Sequence, residues 1–330
     1  MVDHCSLRVG PARILLVPTP RVNLHHLRRA LAARGLTPAS VVPEAGGGRL
    51  EEARIRRARL TEAPELAWRP VGPAEPWPDP LAFLDGVQRS ELVAYAGAAP
   101  LVVAEVAAAV RERRDRRLTT VLEARRTLLL GRPEAIAAGG DLPPGLDTVE
   151  LPTDEPPHPM RDLVNAARAL DRARGALELT LGDRYRARSD GWLLIDGALS
   201  DSPVWAADRR MIAVSKSHAT LPFDGPDLER FLRLPAGHRT SIYAPETRSL
   251  APVRQWALRL WPWEGKDVFH GLVRVEVSPD IATPELADTL SRRVLAERAP
   301  ISTPDRRWDR LVYGIHSVER YLRAGAGSLA

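Results

Sequence analysis

A chain of 330 residues, 44 % hydrophobic and 27 % charged, can bury one large core or two smaller ones, which excludes a disordered protein. One cysteine, Cys5, excludes an internal disulfide framework and a cysteine-rich zinc site, and the net charge of +5 gives only a weak pointer to an anionic partner. No apolar run approaches the roughly 20 residues of a membrane span, and the start Met1-Val2-Asp3-His4-Cys5 lacks the basic-then-apolar order of a signal peptide, so a cytoplasmic protein without membrane contact is expected.

In chain order, residues 12–17 predict a strand and 21–34 an amphipathic helix, with leucines at 24, 27 and 31. The adjacent His25 and His26 point in different directions on such a helix and read as surface residues. Gly46-Gly47-Gly48 punctuates, and Arg54-Ile55-Arg56-Arg57-Ala58-Arg59 is dense in guanidinium, read as a solvated face or a phosphate contact. The proline-rich stretch from Pro70 to Pro80 is taken as a boundary, leaving residues 1–80 as an N-terminal extension and 81–330 as the main domain.

The body opens with a strand over 81–85 ending in Asp85-Gly86, a second over 91–96, and a run near 101–110 that is strand or helix. Arg111-Glu112-Arg113-Arg114-Asp115-Arg116-Arg117 is a second basic cluster. Breaks at Gly139-Gly140, Pro143-Pro144 and Pro156-Pro157-His158-Pro159 precede a helix from Met160 to about Leu181, with Leu163, Leu170 and Leu177 a heptad apart and Gly182 read as its stop. Glu178 in its last turns opposes the helix dipole, so a nearby cation is expected. A second Asp-Gly closes the strand Trp192-Leu193-Leu194-Ile195-Asp196-Gly197, and Ile212-Ala213-Val214 delivers Ser215-Lys216-Ser217-His218.

Further elements are a short helix over 226–233, strands over 254–261 and 271–277, and helices over 284–299 and 306–323. This order predicts an α/β fold with a mixed sheet flanked by helices, not a doubly wound one. In the strand Val273-Arg274-Val275-Glu276-Val277, Glu276 is read as facing solvent. His218 reads as structural, and the tryptophans at 256, 261 and 263 as core or interface, with base stacking as the alternative.

A strand closing on Asp-Gly places a carboxylate at a sheet rim, where glycine permits a sharp turn and close approach of a ligand; Asp-Gly is equally an ordinary hairpin signature. No Gly-rich phosphate loop, G-x-S-x-G elbow or H-E-x-x-H pair appears. Lysine occurs only at 216 and 266 in a chain that otherwise uses arginine, which singles out Lys216 as a compact point charge.

The ordered set Phe83-Leu84-Asp85-Gly86, Glu178 eighteen residues before Asp196, Leu194-Ile195-Asp196-Gly197-Ala198-Leu199, Val214-Ser215-Lys216 and Trp308 through His316 resembles the NurA nucleases over about residues 81–323. The chain departs from that family in having Val87 where a serine is usual, and Trp308 and Asp309 where a tyrosine and a proline are usual. The resemblance implies a divergent member: an RNase H-like fold, a Mn²⁺-dependent (or Mg²⁺-dependent) DNA nuclease active in DNA end processing or repair, a homodimer, and a HerA-like hexameric ATPase as partner. It further implies that Asp85, Glu178, Asp196 and His316 hold metal, two ions in number, and that Lys216 and Arg89 contact DNA.

The chemistry can be stated without the family. Two metals about 3.5 to 4 Å apart need acidic side chains to hold them while water is activated and the leaving oxygen stabilised. Asp85, Asp196 and Glu178 supply hard oxygens, one imidazole from His316 tilts the choice toward Mn²⁺ or serves as a proton shuttle, and Lys216 stabilises phosphate charge. Two other readings stand beside this one: a catalytically weak module gripping DNA or a translocase through its arginines, and a phosphotransferase whose Asp-Gly turns hold nucleotide phosphates.

Overall fold

The computed structural model of the protein describes residues 54–78, 80–140, 145–246, 251–300, 305 and 307–325. The strand expected at 12–17, the helix at 21–34, the glycine run, His25, His26 and Cys5 lie outside them. Short strands β1 (Arg54–Ile55), β2 (Ala58–Leu60) and β3 (Trp68–Pro70) precede three long ones, β4 (Leu81–Ala96), β5 (Ala99–Arg114) and β6 (Arg117–Gly131). Helix α1 (Pro133–Ala138) and β7 (Leu146–Glu150) lead into the long helix α2 (Pro159–Arg186). There follow β8 (Trp192–Asp196), α3 (Pro203–Ala207), β9 (Met211–Ser215), β10 (Thr220–Leu221), α4 (Gly225–Leu232), β11 (His238–Thr240) and β12 (Tyr243–Pro245). The chain ends through β13 (Arg254–Arg259), β14 (Leu272–Val277), α5 (Pro284–Ala296) and α6 (Tyr313–Ala324).

One mixed sheet organises the molecule, in the order β2-β12-β13-β14-β9-β8-β4-β5-β6-β7, with β11 and β3 joined through β13. The strands β4, β5 and β6 run antiparallel, whereas β8 is parallel to β4 and β9 is parallel to β8. The sheet is therefore mixed and flanked by helices, as the order of elements predicts. Side chains alternate across it. Leu81, Phe83, Leu194, Ile212 and Val214 pack with Leu290 and Val294 of α5 and Ile315 and Val318 of α6. Ala82, Leu84, Leu193, Ile195 and Ala213 pack on the other face with Leu181 and Tyr185 of α2 and Trp205 of α3. Near-continuous apolar runs such as Leu193-Leu194-Ile195 follow from this two-sided burial.

Several expectations are corrected. The segments 81–85 and 91–96 form one 16-residue strand, and Asp85-Gly86 is not a turn, because the β5 ladder continues unbroken past it from Leu84 opposite Val110 to Gln88 opposite Val106. The run at 101–110 is strand. The basic cluster from 111 to 117 closes a hairpin: Asp115 and Arg116 both take positive φ, 51° and 63°, as a tight two-residue turn requires. Helix α2 runs through Gly182 to Arg186. Gly182 is an interior contact, since a Cβ there would lie 2.4 Å from the Trp205 ring. The last predicted helix divides into a 3-10 turn at Trp308–Arg310 and α6. Glu276 faces away from solvent, buried between β14 and the loop after β8. Trp256 is core, while Trp261 and Trp263 are half-buried.

The described part of residues 54–80 is built into the sheets: β1 pairs with β10, β2 with β12 and β3 with β11. Arg57 of the first basic cluster pairs with Asp224 at 3.2 Å. No helix among the described residues is long and apolar enough to cross a membrane.

Candidate active site

The register of β8 against β4 creates the site. β8 pairs with β4 over Leu81 to Leu84 only, while β4 runs twelve residues further. Among the described residues, no strand pairs with that edge of β4 from Asp85 onward. By alternation Asp85 lies on the face of Phe83, toward α6. Asp196 lies on the face of Leu194 and Lys216 on that of Val214, so all three project to one side of the sheet at neighbouring strand ends. Gly197 turns the chain at the end of β8 with φ 128°, a conformation suited to glycine, so here the Asp-Gly does make the sharp turn expected of it.

Asp85 is buried, and one carboxylate oxygen accepts a hydrogen bond from the Gly86 amide at 2.8 Å. Burial pushes its carboxyl well above the usual range. The charge of Asp196 pushes it further, Lys216 opposes, and Glu178 and Glu319 add. Lys216 Nζ donates to Asp196 Oδ2 at 2.9 Å. Burial alone would lower the Lys216 ammonium, but the charges of Asp196 and Asp85 outweigh it and hold its pKa above the ordinary value.

Glu178 approaches from the opposite face. Gly86 shares that face with Leu84, and a Cβ on Gly86 would lie 2.3 Å from Glu178 Oε1, so glycine is what lets the α2 carboxylate come against β4. The cation expected beside Glu178 is Arg174, one turn earlier on α2. Arg174 is itself held by Gln88 at 3.1 Å, and Gln88 by Asp171 at 2.8 Å. Replacing Gly86 with Ala is expected to displace Glu178 and lower any activity of the site at least tenfold while the fold is kept; activity and thermal-unfolding measurements on one preparation check this.

His316 sits on α6, nearly buried, its Nδ1 without a hydrogen-bond partner and 3.7 Å from Glu319 Oε2. Glu319 was missed in the sequence. It raises Asp85 and pairs with Arg307 at 3.5 Å and Arg323 at 3.0 Å, and its i+3 spacing from His316 was the available signal. Arg89 pairs with Glu105 at 2.8 Å, within a charged row on β4, β5 and β6 that includes Arg125. His218 is structural: its Nε2 bonds the Leu272 carbonyl oxygen at 2.9 Å, its ring stacks on Phe269, and burial takes its pKa down to about 3.

Asp85, Asp196 and Lys216 are thus brought together on one face, with Glu319 and then His316 beside them and Glu178 reaching in from behind. Among the described residues no three His, Cys, Asp or Glu side chains form a metal-holding group by themselves. The donor chemistry nonetheless suits a hard divalent cation. Mg²⁺ and similar ions are commonly held by one or two carboxylates plus substrate phosphate and water, and a cation would favour the ionised form of Asp85, which burial first and the Asp196 charge second disfavour.

The NurA nuclease from Sulfolobus solfataricus superposes with a TM-score of 0.48 at 12 % identity, covering 77 % of this chain and 81 % of that one. The catalytic domain of human endonuclease V gives a TM-score of 0.28 at 13 % identity over 92 % and 98 %. No family model and no curated protein sequence matches the chain.

Proposed function

We propose that the protein is a divalent-metal-dependent DNA nuclease, using two Mn²⁺ or Mg²⁺ ions, in DNA end processing or repair. The observation that carries this reading is that Asp85, Asp196 and Lys216 project to one side of the sheet at neighbouring strand ends, with Asp85 buried and Lys216 Nζ 2.9 Å from Asp196 Oδ2. In it, Asp85 and Asp196 hold the metal, Glu178 and His316 complete its surroundings, and Lys216 neutralises the phosphate charge that develops on cleavage. The bound ions would supply Lewis acidity and an activated water. The sequence resemblance further supports a homodimer, a HerA-like hexameric translocase as partner, and DNA contact by Lys216 and Arg89.

A second reading, a catalytically weak DNA- or translocase-binding module, draws on the fact that Asp196 and Glu178 already carry cationic partners, Lys216 and Arg174. Labelled linear single- and double-stranded DNA, incubated with Mn²⁺, Mg²⁺ or chelator, separates the two. The nuclease reading expects metal-dependent cleavage that falls by about 10³-fold or more in Asp85→Ala and Asp196→Ala, the loss of several kcal/mol of transition-state stabilisation. Equal residual activity in wild type and variants would sink it. Binding without cleavage under every condition selects the module.

A further inference from the structure

Strand β14 carries two charged side chains on one face, Arg274 and Glu276, between the apolar Val273, Val275 and Val277 that face the other way. Glu276 is buried, and its Oε2 accepts from the amides of Leu199 at 2.8 Å and Ser200 at 3.4 Å, with Gln255 donating to Oε1. Those two amides belong to the loop that begins at Asp196-Gly197. Arg274 donates from Nη1 to the Thr220 carbonyl oxygen at 3.0 Å, and from Nη2 to the Ser217 carbonyl oxygen at 3.1 Å and Ser215 Oγ at 3.4 Å. Those acceptors bracket Lys216.

The chemistry is complementary in each case. A carboxylate gathers the N–H groups of one loop and a guanidinium gathers the C=O groups of the next, and charge-assisted bonds of this kind are about twice as strong as neutral ones. The register places Arg274 opposite Ser215 and Glu276 opposite Ala213, so both supports act from the face of the sheet that Asp196 and Lys216 turn away from. Each loop has an internal bond, Ser202 N–H to the Leu199 carbonyl oxygen at 3.1 Å and Ala219 N–H to Ser217 Oγ at 3.3 Å, and each is in addition tied across to β14.

We infer that Arg274 and Glu276 are positioning residues that hold the Lys216 and Asp196 loops in the relative placement that gives the 2.9 Å Lys216–Asp196 contact. This rests on the nuclease reading for its catalytic consequence and on geometry alone for the holding.

The test uses full-length protein and the variants Glu276→Ala, Arg274→Met, Glu276→Gln and Arg274→Lys, with amide hydrogen exchange on the metal-free protein and Mn²⁺-dependent DNA cleavage as separate readouts. The expected result is local: exchange quickens over 197–202 in Glu276→Ala and over 215–221 in Arg274→Met, with the rest of the sheet protected. In cleavage kcat falls about 10- to 100-fold at unchanged KM for DNA, the range typical of outer positioning residues, and the Gln and Lys variants recover most of both losses. Unchanged exchange in both loops would overturn the inference, as would protection lost throughout the sheet in all four variants, which marks the pair as general core. If the wild type cleaves no DNA, the nuclease reading falls, while the exchange data still decide whether the two loops are held this way.

Discussion

Asp85→Asn is expected to stabilise the metal-free protein at neutral pH and to abolish cleavage. The carboxyl is buried beside Asp196, and its pKa in the folded chain is raised above the ordinary 3.8. Between 3.8 and the raised folded value the native state keeps a proton that the unfolded chain has lost. Stability therefore falls as pH rises through that window and stays lower above it. Asn removes the charge and keeps an oxygen to accept the Gly86 amide, so the variant lacks this fall. Unfolding followed from pH 3 to 8 in chelator should show wild type and variant together at the acid end and apart at neutral pH. A separation of roughly 1 kcal/mol would raise Tm by a few degrees in a chain of this size. A variant less stable than wild type at pH 7 would mean that Asp85 serves the fold and not a cation. The opposition of stability and activity at one residue is what a site built to receive positive charge should show.

Arg239→Met is expected to cost about 3 to 5 kcal/mol, the range for breaking a buried ion pair by removing one partner. The Arg239 side chain is fully buried, bonding both oxygens of Glu62 at 2.7 and 3.1 Å and Asp288 at 2.5 Å. Glu62 also forms an ion pair with Arg69 at 2.7 Å and accepts from the Ile242 amide at 2.8 Å. Burial alone would raise Glu62, but the bonds from Arg239 and Ile242 outweigh it and hold its carboxyl below 4.5. That contribution is present above 4.5 and is lost as pH falls through the lowered value. Denaturant unfolding at pH 7 and at pH 4 checks both the size and the sign. It also asks whether residues 54–80 fold with the body, since Glu62 lies N-terminal to the boundary read at Pro80. One cooperative transition, shifted as a whole, would join them; a separate early transition would restore the boundary.

What the sequence disclosed here is uneven. The mixed sheet, the long helix and the ends of β8 and β9 were legible because apolar runs of strand length and a leucine heptad are local signals. The continuity of β4 was not. Asp85-Gly86 has the composition of a turn, and only the pairing of β5 and the approach of Glu178 explain why that glycine lies inside a strand. Gly182 misled in the same way, being a contact for Trp205 and not a helix stop. Asp85, Asp196 and Lys216 were named from strand-end patterns and do meet. Arg274 and Glu276 were missed or misread because their partners lie distant in sequence, whereas Arg174 and Glu319 were missed although each stands one helical turn from a named residue, Glu178 or His316. Alternation alone does not separate a buried carboxylate that collects loop amides from one that faces water.

A strand that outruns its neighbour leaves a notch in a sheet. Where β8 stops and β4 continues, groups from the layer above, on α6, and from the layer below, on α2, come to the same opening, which neither layer reaches alone through a closed sheet. Glu319 on α6 and Glu178 on α2 thereby act on one carboxyl, Asp85, from opposite sides of the sheet, so that a shift of either helix is registered at the same residue.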